Sequence, residues 1–237
     1  MRDQYAGDIS DLIKLSLLRA LAGEDRTLGV AWYYAPGDDG RSDGKHVEHR
    51  AESDWQALDP AVHDALATFE ARSVAALEGL SVWPAHTVFH RCPVERSNRD
   101  AWVHGMRTAL DEASLVFLDP DNGLGLHWEK HARVDDLRAL RRDGRALMVI
   151  KFPGRSSTHH EQVRELHGDL RDAGFKDILT LRTSVSVPSR SGSRSRLPRA
   201  RFFTLVGADA QLKARAQAFA ERMSSVRFAR ARLDLGD

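Results

Sequence analysis

Apolar residues fall along this chain in two alternating patterns. The first is a short, near-continuous run bounded by turn residues: Leu28 to Tyr34, Val88-Phe89, Leu115 to Leu118, Ala146 to Ile150, Ile178 to Leu181 and Arg201 to Val206. Runs of this length predict strands buried on both faces. The second has helical spacing. Ser10 can cap a helix with an apolar stripe of Leu12, Ile13, Leu17, Leu18 and Leu21, which Gly23 would stop. Asp59-Pro60 begins another that carries Val62, Leu66, Phe69, Val74 and Leu77, and Ser97 can cap the turn that holds Asp100. Further helices are expected at about Val134 to Arg142, Glu161 to Ala173 and Gln211 to Met223, with a last strand between Val226 and Leu233. Strands separated by helices imply right-handed crossovers and a mostly parallel sheet. The last strands, joined by residues Arg182 to Arg201, would form an antiparallel hairpin at its edge. Residues 41–80 break the alternation and are expected to be a helical insertion within one α/β domain spanning 1–237.

Composition adds few constraints. The 237 residues are 42% hydrophobic and 29% charged, which argues against disorder or a fibrous repeat. Lys and Arg number 35 against 34 Asp and Glu, so net charge gives no general case for a polyanion. Local charge does, because Arg190, Arg194, Arg196 and Arg199 stand among Ser, Gly and Pro with no acid to offset them. Such a loop suits a phosphate backbone, or is a solvated hairpin connection. Cys92 is the only cysteine, which excludes an intrachain disulfide and a multi-cysteine zinc site. No apolar run approaches the span of a bilayer, and Met1 to Tyr5 is too polar for a signal peptide, so a cytoplasmic protein without membrane contact is expected.

Ligands of open α/β sheets bind beyond the carboxyl ends of the strands, which singles out three polar segments. These are Pro36 to Lys45, Asp119-Pro120-Asp121-Asn122-Gly123 and Lys151-Phe152-Pro153-Gly154-Arg155, and all three should lie on one rim. Asp119 is the best single candidate: Pro120 stiffens the chain behind it, and a carboxylate held there could accept a hydrogen bond, take a proton or bind a metal. The plainer alternative is a turn made of good turn formers. Asp38, Asp39 and Asp43 form an acidic, glycine-spaced loop that does not fit the EF-hand pattern and is by default an unligated surface loop. His159 and His160 are adjacent on a helix and point apart. Lys151 could meet a phosphate or carboxylate, or simply snorkel to solvent.

The opening Gln4-Tyr5-Ala6-Gly7-Asp8-Ile9-Ser10-Asp11-Leu12-Ile13-Lys14 resembles the N-terminal segment of the bacterial 23S ribosomal RNA adenine-N6 methyltransferases. There an Ala-Gly-Asn, a later Asp and a Lys precede a helix, and a later strand ends in Asp-Pro-Pro-Tyr. This chain is similar in the same order: Gly7, Asp8, Asp11 and Lys14, then the strand to Tyr34, the insertion, and Leu118-Asp119-Pro120. The resemblance implies a three-layer α/β sandwich with a methyltransferase-like (Rossmann-like) sheet, and S-adenosylmethionine bound near Gly7, Asp8, Lys14 and Gly37. In two places the chain departs from that pattern. Asp121-Asn122 replaces Pro-Tyr, removing a ring on which a flipped base would stack, and the loop after the first strand is acidic.

The first functional expectation is therefore an S-adenosylmethionine-dependent methyltransferase, or a diverged relative, acting on nucleic acid. Asp119 would accept from the reacting amine, Asn122 would position it, Lys151 would stand at the neighbouring strand end, and the arginine loop would hold phosphate. The second is a Mg²⁺-dependent phosphodiesterase or nuclease in which Asp38, Asp39, Asp119 and Asp121 bind the metal and Lys151 faces the scissile phosphate. The third is a non-catalytic module that binds nucleic acid or a protein partner.

Overall fold

The computed structural model describes residues 1–37, 46–125, 131–187 and 199–236. Its strands are β1 (Leu28–Trp32), β2 (Val88–His90), β3 (Leu115–Asp119), β4 (Gly123–Leu124), β5 (His131–Ala132), β6 (Ala146–Lys151), β7 (Leu179–Val185), β8 (Arg199–Val206) and β9 (Ala229–Leu235). β4 and β5 pair only with each other; the other seven form one sheet in the order β2-β1-β3-β6-β8-β7-β9. The β2-β1, β1-β3 and β3-β6 pairs are parallel. β8 runs antiparallel to both β6 and β7, and β9 antiparallel to β7, so five of the seven strands share one direction.

Period-2 alternation divides the strand residues between two apolar layers. Val30, Trp32, Phe117 and Met148 face a layer built with α1 (Ile9–Ala22), α2 (Pro60–Ala67), α3 (Val74–Glu78) and α7 (Ala210–Ser225). Ala31, Tyr33, Val116 and Val149 face α4 (Arg99–Ala109), α5 (Val134–Leu140) and α6 (His159–Asp172). Cover on both faces explains why β1, β3 and β6 read as unbroken apolar runs. The chain is an α/β, Rossmann-like three-layer sandwich.

Several boundaries differ from those expected. The cap of α1 is Asp8 rather than Ser10, its Oδ1 accepting from Ser10 N at 2.7 Å and Asp11 N at 3.3 Å. A carboxylate at that position also complements the helix dipole. Ser97 caps nothing: Arg96–Asn98 is a 3-10 turn, and Asn98 precedes α4 without a side-chain cap. The helix expected from Pro60 is two helices. Arg50 Nη1 takes the carbonyl of Phe69 at 2.6 Å just after α2, and Ser73 caps α3 anew. The β7-β8 hairpin is antiparallel as expected but lies inside the sheet, because β9 takes the edge. Arg182 belongs to β7, not to a basic loop, and Asp234 of β9 neutralises it with an Nη2–Oδ1 bond of 2.9 Å.

His49 lies buried in a 3-10 turn, Glu48–Ala51, before α2. Burial first, then the nearby Arg50, pushes its pKa down from 6.5 to about 4. A depressed pKa means the folded state binds fewer protons, so this contribution is complete above pH 6.5 and is lost as pH falls towards 4. Replacing His49 with Gln should remove an acid-side loss on the order of 2–3 kcal/mol. Urea titrations of both proteins at pH 7 and pH 4.5 check this; parallel losses in the two would disprove the assignment.

Candidate active site

From β1 the chain passes to β2 on one side and returns to β3 on the other, so β1 and β3 part their connections at the carboxyl edge. A crevice at such a switch point is where open α/β sheets bind ligands. Asp119 ends β3 there, in register with Trp32 of β1. A cavity of about 470 Å³ opens at this point. Four elements build its wall: the first turns of α1 with Asp8, Ser10, Asp11 and Lys14, the turn Asp119 to Asn122, the loop after β6, and the start of β8. Met1, Tyr5 and His46 complete it.

The floor is ionic and buried. Lys14 Nζ lies 2.6 Å from Asp11 Oδ1 and 3.1 Å from Asp119 Oδ2. The Trp32 ring faces the same ammonium at 5.6 Å, a cation–π contact. Burial pulls the lysine pKa down, but Asp11 and then Asp119 outweigh it and leave it raised. For Asp11 burial dominates over Lys14 and pushes the carboxyl up to about 6. Asp11 Oδ2 also accepts from Gly7 N at 2.7 Å. Gly7 has φ +77°, and a Cβ there would stand 2.5 Å from Phe69 Cδ1, so the turn into α1 requires glycine. Arg201 is buried beside these groups and donates to Ser10 Oγ from Nε at 2.8 Å and Nη2 at 2.6 Å.

Of the residues singled out from sequence, Asp8, Lys14, Asp119, Asp121, Asn122 and Arg199 share this wall. Asp121 accepts from the α-amino group of Met1 at 2.9 Å, and that group also donates to Tyr33 O at 2.6 Å. Gly7 stands behind the wall and acts through Asp11. Lys151 packs on Gly123, where a Cβ would meet its Cβ at 2.6 Å, and it does not line the cavity. Neither does Gly37, whose carbonyl accepts from Arg2 at 3.3 Å. The His159 ring sits edge-on to Phe202 at 5.3 Å. Asp38, Asp39, Arg190, Arg194 and Arg196 lie outside the described residues. Among the described residues no group of three His, Cys, Asp or Glu side chains is placed to hold a metal.

Two residues of the wall, Arg201 and Phe152, carried little warning in sequence, and Asp11 and Lys14 carried a partial one. Asp11 and Lys14, at i,i+3 on an otherwise apolar helix, were the available signal for a buried ion pair. Arg201 reads as one more member of the basic segment, yet it lies within β8 and its side chain is buried. Phe152 reads as a continuation of the β6 run but projects into solvent at the cavity.

No family model matches the chain, and no curated protein matches it in sequence. Its structure is similar to the crystal structure of protein LPL1258 from Legionella pneumophila strain Philadelphia 1, described there by the family model DUF519. The likeness covers 98% of each chain with a TM-score of 0.54 and 10% sequence identity. At that identity it establishes a shared fold.

Removing the cation from between two buried carboxylates should be costly. Lys14→Met is expected to destabilise the protein by about 3–5 kcal/mol. Asp119→Asn should cost clearly less, because Lys14 keeps Asp11, its nearer partner. Chemical denaturation of both variants tests the order, and equal costs would show that the Lys14–Asp119 contact is as important to the fold as Lys14–Asp11.

Proposed function

We propose that the chain is an S-adenosylmethionine-dependent methyltransferase, or a diverged relative of the bacterial 23S ribosomal RNA adenine-N6 methyltransferases, acting on nucleic acid. The observation that carries this reading is Asp119: a carboxylate at the end of β3, at the switch point, with one oxygen held by Lys14 and, among the described residues, no hydrogen-bond partner at the other. The cavity suits the cofactor in two respects. Its volume falls within the roughly 300–1,000 Å³ of small-molecule sites. Its wall offers carboxylates on Asp8 and Asp11 and the cation of Lys14, a mixture that matches a ligand bearing an ammonium, a carboxylate and a sulfonium. When bound, the cofactor supplies an electrophilic methyl group.

The chain's own residues then have distinct tasks. Lys14 fixes the Asp119 carboxylate by holding Oδ2. Asp119 Oδ1 is left to accept an N–H of the reacting amine and so orient its lone pair. Asn122, three residues on, presents an amide on the same wall. Arg155 and Arg199 add positive charge at the opening, as a phosphate backbone requires. The metal-dependent alternative draws less support, because Asp119 is committed to Lys14 and Asp121 to the Met1 amine.

Ligand-induced stabilisation tests the reading directly. At a hundred times its dissociation constant, S-adenosylmethionine or S-adenosylhomocysteine should add about 2.7 kcal/mol, a rise of about 5–10 °C in melting temperature for a chain of this size. Asp119→Asn should keep that shift while lowering methyl transfer by about 10²-fold or more. A shift with Mg²⁺ and none with either adenosyl ligand would replace this reading with the phosphodiesterase.

A further inference from the structure

Beyond the Asp119 floor, β6 and β8 build a second part of the cavity wall. Their last paired residues are Lys151 and Phe202, and the residues that come next are Phe152 after β6 and Arg201 within β8. Both side chains line the cavity. Arg201 is only 3% exposed, yet no carboxylate lies within 4.0 Å of its guanidinium among the described residues. Among the described residues its hydrogen-bond acceptors are neutral: Ser10 Oγ, and the carbonyl of Arg199 at 3.4 Å. Asp8 and Asp11 favour its charge only from beyond ion-pair range. A buried cation left with neutral acceptors is costly to the fold alone and is an oxyanion site in waiting.

Phe152 is the complement. It is 40% exposed, and among the described residues the only other large exposed apolar side chain is Leu235 on the edge strand. A slack loop does not account for the exposure. Buried Gln162 of α6 clamps the segment from inside, accepting from Gly154 N at 2.9 Å and donating to Gly154 O at 3.0 Å and Ser157 O at 2.9 Å. The ring is thus held against water on a braced backbone, on the same cavity wall as Arg201, which has no carboxylate in ion-pair range among the described residues. Arg155 and Arg199 belong to the same wall.

We propose that Phe152 and Arg201 form the seat of one unpaired nucleotide of the substrate, the base stacking on the Phe152 ring and the phosphate accepting from Arg201. This rests on the reading of the site as one that acts on nucleic acid, and it names the part of the substrate that the site grips. Stacking on an exposed ring tolerates any base, whereas a fixed guanidinium selects the anion.

Calorimetric titration of the full chain with the four nucleoside 5′-monophosphates and the matching nucleosides, in the presence and absence of S-adenosylhomocysteine, tests the seat. The wild type should bind at least one monophosphate about tenfold tighter than its nucleoside. Arg201→Gln should erase that advantage and leave nucleoside affinity within about twofold. Phe152→Ala should weaken monophosphate and nucleoside alike by about tenfold, and Phe152→Tyr should restore both. S-adenosylhomocysteine affinity should be unchanged in all three. If Arg201→Gln instead weakens S-adenosylhomocysteine and spares the phosphate advantage, Arg201 holds the cofactor's carboxylate and the proposal is overturned. If the wild type binds no adenosyl ligand but shows a phosphate advantage that depends on Arg201, the seat stands and the methyltransferase reading falls. Should Arg201→Gln fail to fold, Phe152→Ala decides alone, since Phe152 is exposed; unaltered nucleotide affinity there refutes the seat.

Discussion

The architecture of the site depends on one buried cation shared by two carboxylates. Lys14 belongs to α1 and Asp119 to the end of β3, 105 residues later. Removing three charges from water is unfavourable unless each finds its partner at close range. That requirement positions the N-terminal turns of α1 over the end of β3 more strictly than apolar packing would. The rest of the wall follows from it. Asp8 caps the helix, Gly7 donates to Asp11, Ser10 receives Arg201, and Arg50 ties the Gly7 carbonyl to the chain after α2 at 3.0 Å. A helix that is apolar on nearly every side therefore carries its polar residues where the cavity needs them.

The sheet was legible because burial on both faces writes a distinctive signature. Leu115 to Leu118 and Ala146 to Ile150 have no polar interruption, and only a doubly covered strand tolerates that. Strand order was less accessible. Nothing local in Arg201 to Val206 says that it runs between β6 and β7 rather than beside them, since the partners of β8 lie 51–59 residues earlier in β6 and 14–26 residues earlier in β7. The one local cue lay in the acid at Asp234, whose pairing with Arg182 marks β9 as the edge neighbour of β7. Helix caps failed for a related reason. Asp8 and Ser10 are both good N-cap residues, and the choice between them was settled by the tertiary demand that Asp11 and Lys14 face inward.

For the site, position along a strand was a better guide than residue type. Asp119 was identifiable because it ends an apolar run, and parallel strands carry their ends to one rim. Lys151 satisfied the same rule but is diverted by Gly123, whose missing side chain lets the lysine backbone approach closely. The opposite error concerns Arg201. Counting arginines between Arg182 and Arg201 treated the segment as one basic loop, whereas strand pairing buries Arg201, neutralises Arg182 and leaves Arg199 exposed at the cavity mouth. Charge composition does not record which residues of a run are paired, and here pairing is what separates a structural arginine from one able to meet a ligand.

The distribution of charge through the cavity gives the site a direction. At its floor Asp8, Asp11 and Asp119 stand with Lys14, so the interior carries carboxylates in excess. A zwitterionic ligand with a positive sulfonium is suited to such an interior, and a polyanion is not. Nearer the opening, Arg155 and Arg199 have no acidic partner within ion-pair range among the described residues, and Asp121 is neutralised by the Met1 amine. A phosphate chain is thus favoured at the rim and disfavoured below it. On the reading proposed above, only an uncharged or singly anchored portion of a nucleic-acid strand would descend towards Asp119, past Phe152 and Arg201 on the cavity wall. The same reading would account for the exposed ring, since a flat apolar surface beside the cations of Arg155 and Arg199 would admit a base and offer nothing to the phosphates that follow it.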